Sequence, residues 1–232
     1  MKTRPSHFLA CVIGLKQLFH QSVRAVQAFH PVFSFHNGLS HYMSHRDTSK
    51  AISNMSSILD SPAAERNKDH IWGVIMNDVL PILMKRGNSN VVIDVLEIAG
   101  GTGVHTQHFA QRMQAVCGNS FTWLPSDPEE ASRASIDARV KVLQDSDDPT
   151  MVTAASCVQR AISITLEDTR PIEGDDILST YDMIICINMI HISPWTATLG
   201  LMKIAKERLK NGGVLYCYGP FKEGGKAVES NL

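Results

Sequence analysis

At 232 residues, 44% hydrophobic, with formal net charge −1 and a pI near 6.8, the chain has the composition of a globular protein with a full core. No run of about 18 apolar residues offers a membrane-spanning helix, and the near-neutral charge argues against an electrostatic nucleic-acid binder. Charge is unevenly spread, however: residues 1–46 carry Lys2, Arg4, Lys16, Arg24 and Arg46 and no acid, and removing those five charges from −1 leaves residues 47–232 at −6. The cysteines Cys11, Cys117, Cys157, Cys186 and Cys217 form no Cys-x-x-Cys pair. They predict buried thiols in a reducing, intracellular compartment, with neither a zinc site nor a disulfide framework.

Phe8, Val12, Leu15, Phe19, Val23 and Val26 recur at three- and four-residue steps opposite Lys16, His20 and Arg24, which predicts an amphipathic helix with a basic face. With nine serines in the first sixty residues, residues 1–60 read as a leader. It is either a targeting segment for mitochondrial import, or an extension without a role in the fold of a cytoplasmic protein. Six of the ten histidines lie in it, among Ser, Asn and Gly rather than acids or thiols, so no metal site is expected.

From residue 61 strands and helices alternate. Asp69–Arg86 is helical, with Ile71, Trp72, Ile75, Val79, Ile82 and Leu83 on one side and a kink or break at Pro81. Val91–Ala99 is a strand stopped by Gly100-Gly101-Thr102-Gly103. A helix at His105–Val116, a strand at Phe121–Leu124 and a helix at Glu129–Leu143 follow, and then a polar loop at Gln144–Gln159. Ala161–Leu166 reads as a short strand, Tyr181–Ile192 as a buried central strand, Thr196–Leu209 as a helix and Val214–Tyr218 as a last strand. Lys203, Lys206, Arg208 and Lys210 read as a solvated last turn of that helix. Strands spaced by helices predict an α/β fold: an open, mostly parallel sheet with helices on both faces.

Chemistry concentrates where the first strand of this pattern hands over to its helix, at Glu97-Ile98-Ala99-Gly100-Gly101-Thr102-Gly103. Glycines there let the backbone turn tightly and a ligand approach closely. A dinucleotide fingerprint would need glycine at position 106, which is Thr106, and no Gly-Lys-Ser/Thr P-loop is present. What remains is an acid two residues before a small-x-Gly-x-Gly turn, with Asp127 ending the second strand. This resembles the S-adenosylmethionine site of class I methyltransferases. The resemblance implies that Glu97 contacts the amino-acid end of the cofactor and that Ala99, Gly101 and Gly103 line it. Asp127 would accept from the ribose hydroxyls, since one carboxylate can take two donors. Glu167 or Asp168 would meet the adenine.

Further strings narrow the likeness: Ser61-Pro62-Ala63-Ala64-Glu65-Arg66-Asn67-Lys68, Pro125-Ser126-Asp127, Asn188-Met189-Ile190-His191-Ile192-Ser193-Pro194-Trp195 and Tyr218-Gly219-Pro220-Phe221-Lys222. Together they resemble the methyltransferase-like 26 family over roughly residues 61–231. The implied fold is the Rossmann-like class I methyltransferase sheet, lacking its last helix and two strands, so that the final strand is left as an open edge for the leader or a partner chain to cover. The implied function is methyl transfer from S-adenosylmethionine to an unknown acceptor, a small molecule or a protein. The alternative is a catalytically inactive cofactor-binding or interaction protein. His191, just past a strand's carboxyl end, is the candidate general base. Asn188 and Trp195 would orient and wall in the acceptor, and Glu65 and Arg66 would form a lid or, equally, a helix-capping ion-pair cluster. His105 and His108 lie near the turn, on what reads as an exposed helix face.

Overall fold

The structure, a computed structural model, describes residues 9–14, 57–85, 92–167, 177–223 and 226–227. Alternating apolar residues build a five-stranded sheet from β1 (Leu9–Gly14), β2 (Ile93–Ile98), β3 (Phe121–Pro125), β4 (Tyr181–Ile187) and β5 (Leu209–Gly219), in the order β1-β5-β4-β2-β3. The four strands from β2 to β5 are parallel, and β1 runs antiparallel to β5. Lys222–Glu223 (β6) and Lys226–Ala227 (β7) form a separate small hairpin.

Each face of the sheet has its own core. Ile93, Val95, Trp123, Met183, Ile185 and Tyr216 point to one face. There they meet α1 (Pro62–Val74), α2 (Leu80–Met84), α3 (Val104–Cys117), α4 (Glu130–Gln144) and α5 (Pro149–Ser156). Leu96, Ile98, Ile184, Cys186 and Leu215 point to the other, against α6 (Trp195–Arg208). The period-2 alternation of a strand thus sorts neighbouring residues into two different cores.

Several sequence expectations are corrected. Leu9–Gly14 is a strand, not part of a helix; the rest of the helix expected over 8–26 lies outside the described residues. The short run Leu-Ala-Cys-Val-Ile-Gly pairs residue for residue from Leu9↔Gly219 to Gly14↔Val214. It satisfies the β5 backbone that would otherwise be an unpaired edge, so β5 is not left open. Pro81 does not end its helix: the preceding turn widens to a π-helical segment at Ile75–Val79, with the Leu80 N–H donating to the Ile75 carbonyl. Ile82, expected on the buried face, is exposed.

Gln144–Gln159 contains α5, started by the Asp148 side chain, which accepts from the Thr150 N–H. Ala161–Leu166 is not a strand: it makes a single bridge, Ser126↔Ile162, just past the end of β3, and a second bridge, Trp123↔Val158, precedes it in the chain. Lys210 is not on a solvated helix turn. It lies in β5, with its Nζ 2.6 Å from Asp94 Oδ2 and 2.7 Å from Asp182 Oδ2. This ion cluster lies near the amino ends of β2, β4 and β5, opposite the ends where loops gather.

Gly200 lets α6 pack directly on the Leu166 backbone: a Cβ there would lie 1.9 Å from the Leu166 carbonyl oxygen. Gly73, inside α1, has nothing within 4 Å of the same position. Two Gly→Ala changes in helices should therefore have opposite signs. Gly200→Ala is expected to destabilise by about 2–3 kcal/mol, and Gly73→Ala to stabilise by about 0.5–1 kcal/mol. Urea unfolding of both variants measures this, and equal effects would mean that the α6–Leu166 contact is looser than described.

Candidate functional site

The carboxyl ends of β2, β3 and β4 open into a cavity of about 370 Å³. Its floor is the turn from β2 to α3, held by backbone. The Ser126 N–H donates to the Glu97 carbonyl (2.8 Å), and the Gly100 N–H donates to the Ser126 carbonyl (2.8 Å). The Gly101 N–H donates to Asp127 Oδ2 (2.9 Å), while the Glu129 N–H takes the other carboxylate oxygen (3.0 Å). The turn runs through left-handed backbone at Ala99 (φ 55°), Gly101 (φ 58°) and Gly103 (φ 80°). An alanine in this region costs about 1–2 kcal/mol, which the glycines avoid.

Gly101 lines the cavity, with open space where a Cβ would stand. Gly103 does not line it; a Cβ there would lie 2.7 Å from Ile136 Cα, so this glycine permits α3 to pack on α4. Ala99, Asp127, Glu167 and Asn188 are all at the wall. Asp168 lies outside the described residues.

Glu97, expected at the ligand, is buried beneath the turn and off the cavity wall. Strand alternation aims it to the same face as Val95, beneath α3. Its Oε2 accepts from the Thr106 hydroxyl (2.6 Å) and from Trp123 Nε1–H (2.8 Å). It is 3% exposed and absent from the cavity lining. Burial pushes its pKa from 4.5 up to about 7, against the lowering by its two hydrogen bonds and helped by the charge of Asp127.

Neither His191 nor Trp195 lines the cavity; both are exposed. His191 stands over the end of β5, its Nδ1 3.4 Å from where a Gly219 Cβ would be, with Asn188 Oδ1 beside it. Asn188 itself turns the chain through φ 57°. Glu65 and Arg66 are exposed and off the wall. Glu65 pairs with Lys68 one turn on, while Ser61 accepts from the Ala64 N–H, which is the capping arrangement rather than a lid.

The histidine the structure does bring to the wall is His105, which is buried, not on an exposed face. Its Nε2 is 2.9 Å from Asn67 Oδ1 on α1. Burial, more than the neighbouring His108, drives its pKa down to about 4, so the ring is neutral at physiological pH. His108 is part-buried, with Nε2 3.2 Å from Asp69 Oδ1.

Sequence reasoning also missed the residues that brace the turn. On α4, the Ser135 hydroxyl donates to the Thr102 carbonyl (2.8 Å) and Arg139 Nε–H to the same oxygen (2.9 Å). Both also hold the lead into α1, because the Leu59 N–H donates to Ser135 Oγ (2.9 Å) and Arg139 NH2 donates to the Leu59 carbonyl (2.9 Å). Their i,i+4 spacing on one helix face was the available signal.

A parallel sheet with a glycine turn and a cavity at its carboxyl ends is a Rossmann-like α/β architecture. The chain is similar in fold to CurJ carbon methyltransferase, with 19% identity and a TM-score of 0.50 over 75% of this chain and 40% of that one. Similarity extends to the glycopeptide N-methyltransferase MtfA complexed with sinefungin (14% identity, TM-score 0.47, 76% and 62% covered). It also extends to PKMT2 from Rickettsia typhi in complex with AdoHcy (15%, 0.42, 58% and 23%). The chain spans less than two thirds of the length of each. Residues 59–232 match the family described as "Protein of unknown function (DUF938)", and the chain belongs to that family. Among the described residues no helix is long and apolar enough to cross a membrane.

Glu97 supplies a test of the site's electrostatics. Its folded pKa is raised, so the folded state holds the proton more tightly and loses relative stability as pH rises from 4.5 to about 7. His105, with its lowered pKa, acts in the opposite sense at the acid end of that range. The effect is therefore read as the difference between wild type and Glu97→Gln. From about pH 5 to about pH 8 the Gln variant should gain up to about 3 kcal/mol relative to wild type in urea unfolding. A pH-independent difference would mean that Glu97 ionises normally.

Proposed function

We propose that the cavity binds S-adenosylmethionine and that the protein transfers its methyl group to an acceptor. The observation that carries this reading is the character of the wall. Gly101 leaves open space for close backbone approach, and the charged side chains among the described lining residues are the acids Asp127 and Glu167, with no Lys or Arg. Such a wall suits a cationic sulfonium carrying a ribose diol and repels a pyrophosphate. In this reading Ala99, Gly101 and Thr102 cradle the methionyl end, Asp127 accepts from the ribose and Glu167 faces the adenine. Glu97 acts from below, by holding α3 and β3 together. The strings Ser61–Lys68 and Asn188–Trp195 support the narrower assignment to the methyltransferase-like 26 family.

S-adenosylmethionine supplies an activated methyl: the acceptor's lone pair bonds to carbon as the carbon–sulfur bond breaks and its electrons stay on sulfur. The protein's task is alignment, which can contribute on the order of 7–11 kcal/mol. Asn188 at the wall is the group to orient an acceptor. His105, kept neutral, is better placed than His191 to accept a hydrogen bond from one.

Isothermal titration with S-adenosylmethionine is expected to show binding that Gly101→Arg abolishes, with cooperative thermal unfolding retained. Unchanged affinity in the variant would place the cofactor elsewhere. Methyl transfer from labelled cofactor into a cell extract separates an enzyme from a cofactor-holding scaffold.

A further inference from the structure

Beside the cavity mouth lies a strip of apolar side chains that the fold does not use. Ile192, Trp195 and Leu199 are 76%, 69% and 54% exposed, the three highest values among the described large hydrophobics; the others stand at 48% or less. Ile192 belongs to the cavity wall, fixed in the turn where its N–H donates to the Met189 carbonyl (3.0 Å). Trp195 opens α6 and Leu199 follows at i+4, so both lie on one helix face. Trp195 and Leu199 stand about 6 Å apart along the helix, and Ile192, at the wall, precedes Trp195 by three residues in the chain.

The chain through the strip is uncharged, and the first charge beyond it is Lys203, one helical turn after Leu199. From Asn188 to Met202 the chain carries no Asp, Glu, Lys or Arg. The inner side of α6 is already satisfied by Ala197, Leu201, Ile204 and Ala205 in the core, so packing does not require Trp195 or Leu199 to be apolar. An exposed indole that no core contact demands is the kind of side chain that anchors a ligand or partner.

We propose that the Ile192–Trp195–Leu199 strip is the acceptor platform of the cavity, and that the acceptor is a small molecule with an apolar, uncharged alkyl or aromatic body. The inference rests on the methyltransferase reading above and supplies its substrate class. Continuity through Ile192 puts the apolar body against the strip and its reactive atom toward the wall at Asn188. The acidic lining, with no Lys or Arg among the described residues, disfavours carboxylated or phosphorylated acceptors.

The test uses the full chain and two separate readouts. S-adenosylhomocysteine is titrated first by calorimetry; no binding would overturn the methyltransferase reading and this inference with it. With that ligand saturating, hexanol, octanol and octanoate are titrated while tryptophan fluorescence is followed, Trp72 and Trp123 being buried and Trp195 exposed. Alcohol affinity should rise about fourfold per added methylene, and octanoate should bind at least about tenfold more weakly than octanol. Ile192→Ser and Leu199→Ser should each weaken octanol by about tenfold, and Leu199→Ser, which lies off the cavity wall, should leave S-adenosylhomocysteine affinity within about twofold. Binding independent of chain length, preference for octanoate, or unchanged variants would overturn the platform while leaving the methyltransferase reading intact. So would a dimer in sedimentation that Trp195→Ser dissociates, which would give the strip to a second copy.

Discussion

The site depends on how two parallel strand ends are tied together. β2 and β3 finish side by side, and the chain leaving β2 must reverse into α3 without leaving its amides unpaired. It does so by giving the Gly100 N–H to Ser126 and the Gly101 N–H to the Asp127 carboxylate. The geometry forces left-handed backbone at Ala99, Gly101 and Gly103. It also brings α4 so close that Gly103 has no room for a side chain against Ile136. Ser135 and Arg139 then fix the Thr102 carbonyl and, through Leu59, the start of α1. One tight turn therefore sets the cavity floor and the positions of three helices.

The two ends of the sheet divide the work. Near the amino ends, the Asp94 and Asp182 carboxylates share the Lys210 ammonium, and the Thr122 hydroxyl donates to Asp94 (2.8 Å). At the carboxyl ends, polar groups are held by backbone and by one another, and space remains between them. Ligands in open α/β sheets collect at that end for the same reason: helix starts and turns converge there without side chains to fill the gap. Glu97 belongs to the scaffold of this end. The upward shift of its pKa is a cost of seating a polar bridge between Thr106 and Trp123 under the turn.

Much of this was legible in the residues. β-branched runs, glycine stops and helical periodicity located β2 to β5 and most helices, because those signals are local. The residues of the turn were also legible as one cluster, and Ala99, Gly101 and Asp127 meet at the cavity wall. What failed depended on distant contacts. Leu9–Gly14 is a strand because β5 needs a neighbour, which no periodicity within residues 8–26 reveals. Ala161–Leu166 has a strand's composition yet makes a single bridge, from Ile162 to Ser126 just past β3. His191 and His105 exchanged places: a loop histidine flanked by isoleucines turned outward, while one on a polar-looking helix start was pressed against Phe109 and Asn67. The burial of Glu97 was legible too, since strand alternation puts it on Val95's face.

Equilibrium dialysis of the full chain against labelled S-adenosylmethionine, with NAD as competitor, tests the proposed occupant of the cavity most directly. Retention of the label, undiminished by millimolar NAD, is the expected result. Retention of NAD with no S-adenosylmethionine bound would contradict it.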